Sequence, residues 1–452
     1  MRLAWSAVLA CVCAAGMTQT AKQTDVRARL EQVASSYTAN DAFMGTVLVV
    51  DGDHVLLDKA YGKAVLEWNV PDTTDTKFRL GSITKQFTAT LVLQLQEQGK
   101  LSIADPVSKY LPDAPQAWAK ITLANLLGHT SGIPNFTSIK EFPEWAASPR
   151  SWNEEYAFFK DKPLDFEPGT KFEYSNSNYE VLGGILEKVS GEQYGDLLRE
   201  RIFSPLGMSD SGLDSDTLVL PKRAEGYRPG PKGLMVSRSE SMSVPFSAGS
   251  IYSTTADLLK WEYGLFGGKL LSAASLKAMT TPGKGDYGLG VVIQNEDGIT
   301  VVHHSGGIEG FNTNMLYAPE RRICVVVLAN VNGSAPDKMG PQLLDVALGK
   351  PVVLASERVP VPIATAELTR FVGVYDLAPT FSLAIVKSAD GLTAQGTNQP
   401  ALPIMYQGMK DGHPRFFIAA VGAEIEFVPN AAGAVQSLIL HQNGANLPGK
   451  KH

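Results

Sequence analysis

The stretch FRLGSITKQFTATLVLQLQEQGKL, Phe78 to Leu101, passes from an extended segment into an apolar-periodic helix, with a serine and a lysine three residues apart at the junction. Residues i and i+3 share one face of a helix, so Ser82 in a first turn has Lys85 beside it. A serine hydroxyl is a weak nucleophile until a neighbouring base takes its proton. Lysine becomes such a base when desolvation or nearby positive charge lowers its pKa. A helix start adds backbone N–H groups and a positive dipole end, which favour the oxyanion formed when a carbonyl is attacked. Phe87, Leu91 and Leu95 make an apolar stripe that would seat the helix in a core. The bland alternative is a serine N-cap followed by a common helix residue. Ser82 is the one serine in the chain with a lysine three positions later.

Two further junctions carry candidate chemistry. In FEPGTKFEYSNSNYEVLGGILEKVSG a Pro-Gly turn leads to Tyr174, Ser175 and Asn176 just before a helix. The phenol of Tyr174 can shuttle protons if nearby cations lower its pKa, and Asn176 can donate to a substrate carbonyl. A packed aromatic followed by an N-cap is the alternative. In VVHHSGGIEGF a β-branched run enters His304, Ser305, Gly306 and Gly307. Glycines on a strand let a ligand or another backbone come close, and an exposed N–H there can bind an oxyanion; a simple bulge or strand end is the alternative.

The rest of the chain frames these junctions. GTVLVVDGDHVLLDKAYG, after an amphipathic stretch near Val26 to Tyr37, reads as a hairpin on an Asp-Gly turn. Residues from Ile83 to about Thr280 read mainly as helices. Strands return in YGLGVVIQN, ITVVHH, NTNMLYA and ICVVVLAN, with turn signals at Asp297-Gly298 and Pro319-Glu320, before the helix-like KMGPQLLDVALG. The expectation is an α/β (α+β) domain over 22–349: one antiparallel sheet assembled from both ends, flanked by helices, with a helical insertion. A Val- and Pro-rich passage, 350–367, reads as a linker. Short strand-like runs over 368–452 read as a small all-β, barrel-like domain.

With 452 residues, 44% of them hydrophobic, and a formal net charge of -6 without a basic run, the chain offers nucleic acid no electrostatic footprint. Residues 1–21 have the pattern of a secretory signal peptide, so export to the periplasm or medium is expected; a single-span anchor is the alternative, for which the apolar run Leu3 to Ala15 is short, and no later segment is long and apolar enough to span a membrane. Cys11 follows VLA, faintly like a lipoprotein processing site. Cys324 alone remains after cleavage, which excludes an internal disulfide or a cysteine metal site. No His-Glu-x-x-His and no Gly-x-Ser-x-Gly elbow occur, so neither a metal nor an α/β-hydrolase site is expected. No cofactor is implied.

Together, Ser82-Ile83-Thr84-Lys85, Tyr174-Ser175-Asn176 and His304-Ser305-Gly306 resemble the three motifs of the penicillin-recognising serine hydrolases. That group includes class C β-lactamases, D-Ala-D-Ala peptidases, esterases and D-aminopeptidases. LLGHTSGIP, Leu126 to Pro134, is similar to a further block of the group, and the resemblance covers about residues 25 to 350. It implies Ser82 as the acylated nucleophile, Lys85 as its base, Tyr174 as partner in proton transfer and Asn176 as a substrate-amide contact. It also implies an oxyanion hole from the N–H groups of Ser82 and Gly307. His304 stands where most β-lactamases and penicillin-binding proteins have a lysine, although esterase and aminopeptidase relatives often have histidine there; it is expected to contact a substrate carboxylate as a cation, with a neutral histidine that only hydrogen-bonds Ser82 or Tyr174 as the alternative. The expected substrate is a small molecule or short peptide, first a cell-wall-related D-amino-acid peptide, with small esters and β-lactams as alternatives. A non-catalytic protein that holds cell-wall peptide is the alternative of another class.

Overall fold

The computed structural model describes residues 25–430, 432–442 and 445–452. The expected signal peptide, with Cys11, lies outside the described residues. The chain divides into two compact units at Lys350/Pro351.

The first unit is built on a six-stranded antiparallel sheet. Its strands are β1 (Gly45–Asp51), β2 (His54–Tyr61), β3 (Val292–Glu296), β4 (Ile299–Ile308), β5 (Phe311–Ala318) and β6 (Ile323–Ala329). Their order across the sheet is β3-β4-β5-β6-β1-β2. Val47 of β1 lies opposite Val327 of β6, so the two ends of the unit meet in the middle of one sheet. Both Asp-Gly turn signals hold: Gly52 follows β1 with φ 58°, and Asp297 and Gly298 both have positive φ between β3 and β4. Every residue of β6 is buried, which is why ICVVVLA runs apolar without alternation and why Cys324 sits in the core. Strand β3 is shorter than YGLGVVIQN suggested, because Tyr287 to Val291 turn back before the ladder begins.

Helix α1 covers 25–35, α2 Thr84–Glu97, α3 Asn176–Ser190, α4 Thr255–Phe266 and α5 Ala335–Ala347. Helices α4 and α5 pack on β6, and α5 also on β5. Helix α2 is more deeply buried than one apolar stripe requires: every residue from Thr84 to Leu93 is shielded. Its polar residues are satisfied locally, Thr88 donating to Ser247 O at 2.6 Å and Gln86 accepting from Trp261 Nε1 at 3.0 Å. The helix that carries Ser82 and Lys85 at its head is therefore a central pillar of the unit, packed against α3 and the short helix Phe246–Gly249.

In the second unit eight antiparallel strands, from Gly373–Ala378 to Ala445–Lys451, close into a barrel. Tyr375 of the first strand pairs with Lys451 of the last. Rings fill the interior, with Phe371 4.7 Å and Phe416 5.3 Å from Phe427 between centroids, as expected for a barrel of this strand number. The passage expected as a linker, 350–367, is largely laid onto this unit. Val361 N–H donates to Tyr406 O at 2.8 Å, Arg358 pairs with Glu424 at 3.3 Å and Ile363 packs against the barrel core. Among the described residues no helix is long and apolar enough to cross a membrane.

Candidate active site

A single 3-10 turn, Gly81–Ile83, delivers the chain into α2. Gly81 has φ 57°, and a β-carbon there would stand 2.8 Å from Gly307 N; a β-carbon on Gly306 would stand 1.9 Å from Leu80 O. Glycine at both places lets β4 touch the Ser82 turn backbone to backbone. The β3 ladder ends where Val292 meets His303, so, among the described residues, residues 304–308 of β4 have no strand partner on that side, while β5 holds the other. Gly306→Ala is expected to push the strand off the turn. That overpacking costs about 1–3 kcal/mol or more, and it should lower both the melting temperature and reactivity toward a serine-directed probe. Wild-type values for both would show that the contact is dispensable.

Lys85 is fully buried, and its ammonium has three acceptors: Ser82 Oγ at 3.0 Å, Asn176 Oδ1 at 2.8 Å and Ala248 O at 2.9 Å. Burial pulls its pKa down to about 7, with the carboxyl of Glu180 opposing. A large share of the lysine is therefore neutral at pH 7. The neutral amine keeps two N–H bonds and turns its lone pair to Ser82 Oγ, whose proton then points at nitrogen. Geometry and protonation state together suit Lys85 to take that proton.

Tyr174 lies in the loop that enters α3, its hydroxyl shielded and, among the described residues, without a partner of hydrogen-bonding geometry. Burial pushes its pKa well above the ordinary phenol value, with the Ser82 hydroxyl opposing. The condition attached to a proton shuttle, a phenol lowered by nearby cations, is not met. The difference arises because Lys85 Nζ sits over the ring, 4.9 Å from its centroid, while burial acts on the oxygen. Tyr174 thus carries its proton at neutral pH.

Around Tyr174 stands a residue that the sequence marked only as part of a block. His129 Nδ1 accepts from Ser175 N–H and from Asn178 Nδ2, both at 3.2 Å, and His129 O accepts from Glu173 N–H at 2.9 Å. Its ring lies 4.3 Å from that of Tyr174. Burial, then the Lys85 charge, hold its pKa well below the ordinary histidine value, so Nδ1 stays an acceptor and the imidazole clamps the loop.

Asn176 opens α3. Its Oδ1 is taken by Lys85, its Nδ2 donates to Thr137 Oγ1 at 3.3 Å, and both residues line the cavity over Ser82. His304 departs from expectation. Its Nδ1 donates to Ser305 O and its Nε2 accepts from the Tyr287 hydroxyl at 2.9 Å. Burial, reinforced by the Lys85 charge, pushes its pKa down to about 3. The cationic carboxylate contact expected of His304 is corrected accordingly: strand alternation points its ring into the core, where it is neutral and engaged at both nitrogens. Nothing in the local sequence of Tyr287 marks it as the partner.

The family model described as Beta-lactamase matches residues 30–348. The chain belongs to the β-lactamase family. It is a penicillin-recognising serine hydrolase in fold and class, and a second model, described as a domain of unknown function (DUF3471), matches residues 357–451. Penicillin-binding protein 4* of Bacillus subtilis (strain 168) is 28% identical over 450 residues, 93% of this chain and 97% of that protein. Teichoic acid D-alanine hydrolase of Staphylococcus aureus (strain MRSA252) is 28% identical, covering 66% of this chain and 73% of that one. The crystal structure of a D-stereospecific amidohydrolase from Streptomyces sp. superposes with a TM-score of 0.61 at 26% identity, covering 69% of this chain and 96% of that one.

In this β-lactamase family member the cavity over Ser82 has a volume of about 450 Å³, and Gly307 and Ile308 of β4 form part of its wall. Its charged lining residues are Arg238, Glu240 and Glu309. Burial raises the pKa of Glu240 to about 7 while the N–H of Glu309 opposes; the Glu309 carboxylate adds to the rise and Arg79 counters it. Two carboxyl groups in one lining, one of them pushed toward protonation chiefly by burial and further by the charge of the other, favour a positive ligand group there. Glu240 and Glu309 lie in the unpatterned segments SRSES and GGIEGF, where sequence gives no sign of them.

Proposed function

We propose that this serine hydrolase acts through an acyl-Ser82 intermediate on amides or esters of D-amino acids that carry a free amino group, as in cell-wall-related material. The observation that carries the chemistry is the buried Lys85 amine within 3.0 Å of Ser82 Oγ. Neutral Lys85 takes the hydroxyl proton as Ser82 Oγ bonds to the substrate carbonyl carbon, and the oxygen becomes an anion on the N–H groups of Ser82 and Gly307. Collapse breaks the bond to the leaving nitrogen or oxygen, which receives the proton from the lysine ammonium through the Tyr174 hydroxyl. Water then attacks the acyl-enzyme along the same proton path in reverse, releasing the acid and restoring Ser82.

The substrate reading rests on the cavity wall. An ammonium on the acyl side can lie between Glu240 and Glu309, and the relatives named for D-alanine hydrolysis and D-stereospecific amide hydrolysis fit such a group. Arg238 in the same lining favours a second reading, a substrate carboxylate as in a D-Ala-D-Ala terminus. Rates with D-alanine p-nitroanilide, its N-acetyl derivative and an N-acylated D-Ala-D-Ala peptide separate the two. A charge-assisted contact is worth about 1.5–3 kcal/mol, so the free amine should be preferred roughly 10- to 100-fold in kcat/KM. Glu240→Gln and Glu309→Gln should erode that preference. Equal turnover of D-alanine p-nitroanilide and its N-acetyl derivative would remove the ammonium contact, and faster turnover of the N-acylated D-Ala-D-Ala peptide than of either would transfer the assignment to Arg238 and the carboxylate.

A further inference from the structure

One turn along α3 from Asn176, Glu180 faces the same side of the helix, toward Lys85. It is 1% exposed, as is Glu155 from the helix Trp152–Phe159, and the two carboxyl groups interact with each other. Among the described residues, neither oxygen of Glu180, nor Oε2 of Glu155, has a partner of good hydrogen-bonding geometry. Ala248 stands between the two groups: its backbone lies beside the Glu180 carboxyl, and its O accepts from Lys85 Nζ at 2.9 Å. Two carboxyl groups in contact, away from water, cannot both ionise; a proton held between them satisfies oxygens that nothing else reaches. The catalytic scheme above leaves this pair without a task, and a structural role alone would be met better by apolar side chains.

We propose that Glu155 and Glu180 are positioning residues for acylation: a buried acid pair, sharing one proton behind Lys85, whose single negative charge sets how readily the lysine takes the proton of Ser82. The inference rests on the reading of Lys85 as the base. Burial strips the lysine of charge stabilisation, and an anion on Glu180 restores part of it. Burial raises both glutamates above the usual carboxylate range; the Glu180 charge pushes Glu155 further up, while the contact with Glu155 and the Lys85 charge draw Glu180 back down, so Glu155 is the member that holds the proton and Glu180 the one that ionises. The other titratable groups facing Lys85 are Tyr174 and Tyr179 through their rings, and His129 and His304, both held neutral. Tyr194, also protonated, and Glu154 complete the surroundings of the pair. None of these supplies an anion within the core, which leaves Glu180 to do so.

The test is the pH profile of the rate at which a fluorophosphonate labels Ser82, with the site confirmed by mass, in wild type, Glu180→Gln and Glu155→Gln. Glu180→Gln removes the anion, so the acid limb should move to lower pH by about one unit or more, with a lower plateau from the weaker base. Glu155→Gln removes the shared proton but leaves an amide donor, so Glu180 stays ionised and the limb should move to higher pH. Should Glu180→Gln not fold, the rise in Glu155→Gln alone decides. A limb that stays in place or falls in Glu155→Gln, or stays in place in Glu180→Gln, overturns the inference, since mere packing damage changes rates without moving the limb. Failure of wild type to label at Ser82 would instead refute the reading of the site itself.

Discussion

Ser82→Ala is expected to lower turnover by about 10⁴-fold or more and to abolish the covalent adduct with a serine-directed reagent. The residue sits at the one point where a helix start, a buried amine and the backbone of a glycine strand converge. Its hydroxyl meets Lys85 Nζ at 3.0 Å, and Gly307 lines the same cavity. The fold should survive, because Lys85 keeps Asn176 Oδ1 and Ala248 O as acceptors. Intact mass after labelling, followed by peptide mapping, checks the result. Ser305 is exposed and Ser175 buried, and neither has a hydrogen bond to a lysine among the described residues. A mapped adduct on either in wild type would remove Ser82 from the role of nucleophile.

The three junctions legible in the sequence, at Ser82-Lys85, Tyr174-Asn176 and His304-Gly307, meet at one site because each lies where an element begins or changes partner. Ser82 and Asn176 stand at the heads of α2 and α3, and Gly307 stands beyond the end of the β3 ladder. Such places carry turn and cap residues, which sequence displays well. The sheet was legible for a similar reason: β1 and β6 are uninterrupted apolar runs bounded by turn signals. What sequence could not show is direction and pairing across distance. His304 has the composition of a substrate contact, but its ring points into the core toward Tyr287, a residue 17 positions away in a turn that read as strand. Glu155 and Glu180 look like ordinary exposed positions of two amphipathic helices; only the packing of one helix on the other buries them together. The Val/Pro-rich passage read as a linker because extended chain on a barrel surface and extended chain in solvent have the same composition.

Lys85→Met is the second large effect expected. It keeps a side chain of similar length in a site that excludes water, and it removes the only base within hydrogen-bonding distance of Ser82 Oγ among the described residues. Turnover should fall by about 10²- to 10⁴-fold. Wild-type activity should rise with pH as the lysine loses its proton near its pKa of about 7, and the residual activity of the variant should lack that rise. Stability gives an independent check. Lys85 has a folded pKa of about 7 against an ordinary value of 10.5, so between those values the unfolded chain binds one more proton than the native one. Unfolding is then proton-linked, and wild-type stability rises with pH across that window, the cost of the buried lysine being full below it and gone above it. Methionine carries no such cost at any pH. It leaves Asn176 Oδ1 and Ala248 O without the lysine donor, a penalty that does not depend on the titration of Lys85. The stability of Lys85→Met relative to wild type should therefore be greatest at pH 7 or below and decline by roughly 1.4 kcal/mol per pH unit above it. Denaturant unfolding of both proteins at pH 6.5, 8 and 9.5 measures that slope directly. A difference that stays flat with pH would mean that the lysine remains an ordinary charged ammonium in the folded protein, and Lys85 would then lose its place as the base that activates Ser82.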